Sequence, residues 1–334
     1  MMKDNIETLS ECLDGNKILI LGGTGLFAKD LLPELINYID IKKIKTYIYI
    51  ITRDKNRAIK SIPQLERKYI QIVTIDFLKE SKFNSKIDPT YILHMANTTA
   101  EDTFLNVPQI TKYLLLKNSV EAIGEIIKNG NVKRVIFTSS GVVYGDLEEF
   151  KEGSIGRINH LDVKSSLALG KMMSEYYLNT ICKEFNTEFK IARCFTFISR
   201  FLPTHIHYAI GNFVQDAVQG KDIIIRGDGK DIRSYQNVSD AVDWISYLVH
   251  KKNAPDILNV GSDEAITIKE LAEKIKILLN SSNKIIVKNE NPPIDNQRRF
   301  KYLPCLDLAY EIGLNNRKTL EDGVNELADQ LRLI

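Results

Sequence analysis

KILILGGTGLFAKD, residues 17–30, decides the fold. Ile18 to Leu21 form a short apolar run of the kind that becomes a strand buried on both faces. Gly22, Gly23, Thr24 and Gly25 make a turn, and a helical pattern opens through Ala28, Leu31 and Leu32. Strand, glycine turn and helix in this order open a dinucleotide-binding βαβ unit. Gly22 permits the tight turn, and Gly25 lets backbone approach a pyrophosphate with no Cβ in the way. The helix then offers N–H groups and the positive end of its dipole to the phosphates. Ala28 takes the third small position and still allows close helix–strand packing. An ordinary strand–turn–helix corner would carry the same glycines. The place near the N-terminus, directly behind a buried strand, favours the dinucleotide reading.

Outward from this stretch, strands and helices alternate. After a helix at about 25–38 come strands at 47–51, 70–75 and 91–95, then a long helical pattern at 107–129. A fifth strand at 133–138 runs into SSGVVYG, a helix covers 163–185, and a sixth strand covers 189–194. This alternation predicts an α/β fold, a Rossmann-type doubly wound parallel sheet. Beyond Cys194 the regularity weakens: helices at 210–219, from about 240 and at 268–279, strands at 223–226, near 257 and at 284–287, and a polar loop at 289–299. The expectation is a Rossmann domain over 1–195, rejoined by about 236–262, with 196–235 and 263–334 forming a smaller C-terminal substrate-binding lobe at the carboxyl edge, where ligands of open α/β sheets bind.

Bulk properties exclude several classes. The chain has 334 residues, 44% of them hydrophobic and 26% charged, enough for a substantial core. A net charge of +2 gives no bulk attraction to nucleic acid or an acidic membrane surface. Cys12, Cys182, Cys194 and Cys305 are scattered, and the five histidines match no zinc spacing, so no metal is expected. His205 and His207 read as loop or substrate-wall residues. With free thiols, no signal-peptide core and no membrane-spanning run, the chain reads as cytoplasmic.

The end of the second strand selects the dinucleotide. An acid there would accept from the adenosine 2′-hydroxyl and repel a 2′-phosphate. Here stands Arg53, with Lys55 and Arg57 behind it. A guanidinium suits a 2′-phosphate, which favours NADP(H). Asp54 blurs the signal, and an arginine stacked on adenine would leave NAD(H) as the alternative. Asp76, at the end of the third strand, reads either as an acceptor for the adenine amino group or as a turn residue.

LILGGTGLFAK, ILHMANTT (92–99), Asn118, IFTSSGVVYG (136–145), Lys171 and RGDGKDIRSYQNVSD (226–240) occur in one order and spacing over nearly the whole chain. Together they resemble the extended short-chain dehydrogenase/reductase superfamily, in the branch that modifies nucleotide sugars. Each motif alone is weak; the ordered set is specific. The resemblance implies a nicotinamide cofactor held by Gly22, Thr24, Gly25, Leu26, Phe27, Arg53, Asp76, Phe77, Ala96, Asn118 and Lys171. It implies a nucleoside-diphosphate sugar as partner, and a homodimer or higher homo-oligomer through the helices at 107–129 and 163–185.

That family's catalytic set is a Ser or Thr after the fifth strand and Tyr-x-x-x-Lys on the next helix, where positions i and i+4 share a face. The lysine lowers the phenol pKa and holds the nicotinamide ribose, and the phenol moves the proton. Ser140 takes the first place and Lys171 the lysine's. The tyrosine's place is Leu167, which can neither give nor take a proton. Tyr38/Lys42, Tyr113/Lys117 and Tyr247/Lys251 repeat the spacing, but none follows Ser140 on the next helix. A surrogate acid could be Ser140, Tyr144, or a group from 160–166 or from His205 and His207. The alternative is an impaired site, natural or introduced by substitution.

Members that eliminate water from a hexose place an acid/base just after the Ser/Thr, whereas here Gly141, Val142 and Val143 follow. This disfavours a 4,6-dehydratase, kept as an alternative, and favours simple hydride chemistry of ketoreductase or 4-epimerase type, serving surface polysaccharide supply. For the sugar nucleotide, the resemblance points to Arg233 and Arg298, with Arg299, on the diphosphate, and to Thr196 where relatives carry a phosphate-contacting Asn. Ser140 and Tyr144 join them, with Asn212 and Tyr235 as further candidates for lining the same cleft. Solvated loop arginines are the competing reading for the three guanidiniums.

Overall fold

The computed structural model describes residues 4–84, 86–97, 108–204, 208–288 and 301–333. They divide into two compact units: Met1–Asp146, Ile155–Cys194 and Ala241–Leu258 in the first, and Leu147–Ser154, Phe195–Asp240 and Asn259–Ile334 in the second.

The first unit is built on β1 (Lys17–Leu21), β2 (Tyr47–Thr52), β3 (Ile70–Thr74), β4 (Tyr91–His94), β5 (Arg134–Ser140) and β6 (Glu188–Cys194), with β11 (Ile257–Val260) at one edge of a seven-stranded sheet. The order β11-β6-β5-β4-β1-β2-β3 contains the doubly wound Rossmann arrangement, and the pairs from β3 to β6 are parallel. A sheet covered on both faces wants continuous apolar strands, and Ile18 to Leu21 are fully buried. Chain order reverses between β1 and β4, the place where such sheets open a crevice at their carboxyl ends. The register sets Leu21 beside Ile51 and His94, and His94 beside Phe137, so the ends of four strands align along that edge.

Helices α2 (Leu26–Lys42), α4 (Ile110–Asn129) and α5 (Ser166–Glu184) belong to this unit, with the short α3 (Lys55–Ser61). α2 buries Ala28, Leu31, Leu32, Leu35, Ile36 and Ile39, one helical stripe. It runs four residues past the expected end at Tyr38. Lys42 is gripped by Glu7 and Glu11 of α1 (Asn5–Cys12), and Lys43 closes the helix in the left-handed conformation. The sequence reading passed over α1. Its signals are an Asp4 cap on the Ile6 N–H and the buried spacing Ile6, Leu9, Leu13. The long helix expected from residue 107 begins at Ile110, position 107 lying outside the described residues, and the one expected from 163 opens with a 3-10 turn, Val163–Ser165.

The second unit holds α6 (Ala209–Val218), α8 (Ile268–Leu278), α9 (Asp307–Glu311) and α10 (Leu320–Arg332). Its strands make three two-stranded ribbons: β7 (Phe197–Ile198) with β10 (Gln236–Asn237), β9 (Ile232–Arg233) with β12 (Ile266–Thr267), and β8 (Ile223–Ile225) with β13 (Ile285–Val287). Helix α7 (Val238–His250) begins in this unit and ends in the first. Residues 147–154, expected in the Rossmann domain, group instead with the second unit. Phe150 stacks edge-on against Phe195 and Tyr302, and its carbonyl accepts from Asn259 Nδ2. Thr267 and Thr319 cap α8 and α10 through reciprocal boxes with Glu270 and Asp322. Among the described residues no helix is long and apolar enough to cross a membrane.

Candidate active site

The glycine turn leaves β1 at the switch point. Gly22 has φ +87°, and a Cβ there would lie 2.8 Å from the backbone of Met95 and Ala96. Only glycine fits. Gly25 is the N-cap of α2 and carries no side chain to cap the first turn, while its own N–H donates to Gly22 O. A 17-residue helix thus starts on an uncapped glycine, with Thr24, Leu26 and Phe27 around the turn, which fits a pyrophosphate.

Arg53 stands exposed just past β2. The Asp54 carboxylate accepts from Arg57 N at 3.0 Å, capping α3. Lys29 is half-buried, and burial followed by the charge of Arg57 lowers its pKa, against the pull of Asp30. Asp76 Oδ1 accepts from Leu78 N at 3.1 Å, the geometry of a turn. Phe77 is buried edge-on to Phe83, and its carbonyl accepts from Asn118 Nδ2 at 2.7 Å. Asn118 therefore ties α4 to the segment that carries Asp76. Ala96 is half-buried just past the end of β4, against the core.

At the end of β5, Ser140 caps a 3-10 turn, Gly141–Tyr144, its Oγ accepting from Val142 N at 3.4 Å. Tyr144 is buried, with the Arg193 guanidinium 4.6 Å over its ring. Arg193 pairs with Glu175 of α5 at 2.8 Å, and Ser139 Oγ bonds the same carboxylate. One turn earlier on α5, Lys171 is 1% exposed and donates to Thr138 O at 2.6 Å. Burial lowers its pKa to about 8, against the weaker pull of Cys194 and Glu175. Two side chains one helical turn apart, Lys171 and Glu175, thus grip two successive residues of β5. Four residues before Lys171, Leu167 packs against the apolar cluster of the unit. A leucine at that place exchanges no proton.

The sequence reading missed Ser139, Thr138, Glu175, Arg193 and His94. Glu175 was findable, since it falls on the Lys171 face at i+4. His94 lay inside the quoted ILHMANTT.

In the second unit, Asn212 lines a cavity of about 220 Å³ with Phe213, Ile224, Arg226 and Asp228. Arg233 turns its guanidinium to the Ile232 carbonyl at 3.0 Å and to Asp231 at 3.3 Å. Thr196 Oγ1 donates to the Ser234 carbonyl. Tyr235 lines a separate polar cavity of about 350 Å³ with Ser262, Tyr310 and Thr319. Arg298, Arg299, His205, His207, Thr98 and Thr99 lie outside the described residues. Among the described residues no group of three His, Cys, Asp or Glu side chains could hold a metal ion.

Residues 18–261 match the model of the NAD dependent epimerase/dehydratase family. The chain belongs to this family. Among its relatives, UDP-glucuronic acid decarboxylase 5 of Arabidopsis thaliana is 27% identical over 96% of this chain and 91% of its own. The dTDP-4-dehydro-6-deoxyglucose reductase of Escherichia coli is 25% identical over 95% of this chain and 98% of its own. An epimerase of Methanothermobacter thermautotrophicus superposes with a TM-score of 0.78 at 20% identity, covering 98% of this chain and 95% of that one. A UDP-N-acetylglucosamine 4-epimerase of Methanobrevibacter ruminantium gives 0.76 at 19%, covering 95% and 98%. These two likenesses speak to the fold. The matched range of this epimerase/dehydratase family member takes in both the glycine turn at Gly22–Gly25 and the buried Lys171.

Proposed function

We propose that this family member transfers hydride between a nicotinamide dinucleotide and a carbinol or ketone of a nucleoside-diphosphate sugar, as a ketoreductase or 4-epimerase-like enzyme in surface polysaccharide supply. The observation that carries the reading is the alignment along one sheet edge of the glycine turn, Ser140 and the buried Lys171. The dinucleotide, when bound, supplies the hydride exchange. Gly22 to Phe27 would hold its pyrophosphate, Asp76, Phe77, Ala96 and Asn118 would line the adenosine side, and Lys171 would hold a ribose hydroxyl. Ser140 would hydrogen-bond the reacting oxygen. Tyr144, Thr196, Asn212, Arg233 and Arg298 would take the sugar nucleotide, the cavity beside Asn212 being of a size for part of it.

NADP(H) is the favoured dinucleotide. Arg53 is exposed at the end of β2, and the nearby Asp54 carboxylate is occupied in capping α3, which weakens its claim on a ribose hydroxyl. The relatives named a decarboxylase and a reductase share the family but differ in chemistry. Gly141 directly after Ser140 leaves no acid/base there, which supports simple hydride exchange over a 4,6-dehydratase. A homodimer is supported by exposed apolar pairs at i, i+4 on both long helices, Ile110 and Leu114 on α4 and Met172 and Tyr176 on α5. The cytoplasm is the proposed compartment.

A second reading is that the protein binds both ligands with poor turnover. Leu167 motivates it, because losing a general acid/base costs about 10²–10⁴ in rate. Incubation with a UDP- or dTDP-linked hexose or its 4-keto form, together with NADP(H) or NAD(H), separates the readings. Stoichiometric cofactor oxidation with a reduced sugar supports the ketoreductase. Interconversion of 4-hydroxyl epimers with no net oxidation supports the epimerase-like form. Dinucleotide binding with neither reaction, restored by Leu167→Tyr, supports the impaired reading. A 4-keto-6-deoxy product formed from a hexose with no net cofactor change would overturn the proposal in favour of the dehydratase.

A further inference from the structure

One buried lone pair below the carboxyl edge of the sheet lacks a donor. His94, at the end of β4, is fully buried. Its Nε2 lies 2.8 Å from Ser119 Oγ. The Ser119 hydroxyl hydrogen goes to Leu116 O at 2.9 Å. The serine oxygen therefore accepts from His94 Nε2–H, which leaves the lone pair on Nδ1. Among the described residues that Nδ1 has no hydrogen-bond partner. A buried polar atom in this state is costly, so a donor for it is expected nearby.

Lys171 has the complementary surplus. Its ammonium carries three hydrogens, of which one goes to Thr138 O. Among the described residues no carboxylate lies within ion-pair distance. Glu175, the acid nearest on its own helix, is occupied by Ser139 and Arg193. Both groups rest on one ring: His94 stands edge-on to Phe137 at 5.1 Å, and Lys171 Nζ lies 4.7 Å from the same centroid. Thr138 bonds to both, giving its hydroxyl to His94 O at 3.1 Å and its carbonyl to Lys171. Burial first, and then the charge of Lys171, hold the His94 pKa down at about 3, so its imidazole is neutral at working pH.

We propose that His94 is a positioning residue for Lys171: its Nδ1, fixed by Ser119, takes a second ammonium hydrogen, by a rotation of the lysine side chain or through one water, and so aims the third. The inference rests on the reading of Lys171 as a cofactor-holding group. The aim of the third hydrogen would then set cofactor affinity.

Two conservative variants separate positioning from mere support. His94→Asn keeps a polar atom near the Nδ1 place and gives up the Ser119 bond. His94→Gln reaches the Nε2 place, keeps the Ser119 bond and gives up the Nδ1 acceptor. NADPH and NADH affinities are measured by nucleotide fluorescence, and Tm by thermal unfolding, with Lys171→Met setting the floor. Positioning predicts a crossed pattern. His94→Gln keeps Tm and loses about tenfold in affinity, the scale of one hydrogen bond to a charged group. His94→Asn loses Tm and keeps affinity within about threefold, well short of the loss of that bond. Parental affinity in His94→Gln, or equal loss in both variants, would overturn the inference. A parent that binds neither nucleotide, or a Lys171→Met variant that binds like the parent, would instead overturn the function reading beneath it.

Discussion

The two ends of the sheet in the first unit both bury cations, and they treat them differently. At the amino end, Arg134 is 6% exposed, pairs with Glu188 and donates to the carbonyls of Leu248, Val249 and Lys251. Lys190 there donates to Ala254 O at 2.7 Å and to Asp256 at 2.8 Å. At the carboxyl end, Lys171 is buried more deeply and has one carbonyl partner, with no carboxylate in ion-pair distance among the described residues. A buried charge that is fully paired serves the architecture. One left short of partners is held at a cost in stability, and such groups cluster where ligands bind. The contrast separates structural charge from functional charge within one sheet.

The largest effect should come from breaking the paired end. Arg134→Met leaves the carbonyls of Leu248, Val249 and Lys251 without their donor, and should cost about 3–5 kcal/mol in urea unfolding. A loss near zero would remove the basis of the contrast. Gly22→Ala comes next. A positive φ and a 2.8 Å clash with the Met95–Ala96 backbone should lower stability by about 1–3 kcal/mol. It should also weaken dinucleotide binding, which a fluorescence titration reads.

A subtler effect concerns pH. The Lys171 pKa falls from 10.5 to about 8 in the folded chain. Between those values the unfolded state holds the proton that the folded state has lost, so this group makes stability rise with pH over that window. Below about 8 both states are charged and the burial penalty is present in full. Lys171→Met should therefore be the more stable chain at pH 7, and its Tm advantage should shrink between pH 8 and pH 10. An advantage constant with pH would contradict the assignment. The smallest expected change is Asp54→Ala, which removes the α3 cap at a cost of about 1 kcal/mol. It should leave NADPH affinity within about threefold if Arg53, rather than Asp54, meets the ribose phosphate, since losing a hydrogen bond to a charged group costs more.

Much of this was legible before the structure. The continuous apolar run at 18–21 is what a two-face-buried strand requires, and the positive φ of Gly22 fits the tight turn expected there. Lys171 was identified by its place after Ser140. Its lack of a charged partner among the described residues was not, because pairing depends on which side chains a third element supplies. Arg193, from β6, occupies Glu175 and so keeps that acid from Lys171. Nothing along the chain links residues 175 and 193. His94 was quoted and passed over for a similar reason: its meaning comes from Ser119, on a helix begun sixteen residues later. The α1 helix escaped because its eight residues span barely two turns, too few for an apolar period to stand out. Residues 147–154 changed unit because Phe150 found its aromatic partners far along the chain, at 195 and 302.

Equilibrium binding of NADPH and NADH to the parent, Lys171→Met and Lys190→Met bears most directly on the claim that Lys171, the buried lysine without a carboxylate partner among the described residues, is the one that holds cofactor. The account predicts binding by the parent, parental affinity in Lys190→Met, and a loss of at least about tenfold in Lys171→Met. Equal affinities in all three, or equal losses in both variants, would contradict it.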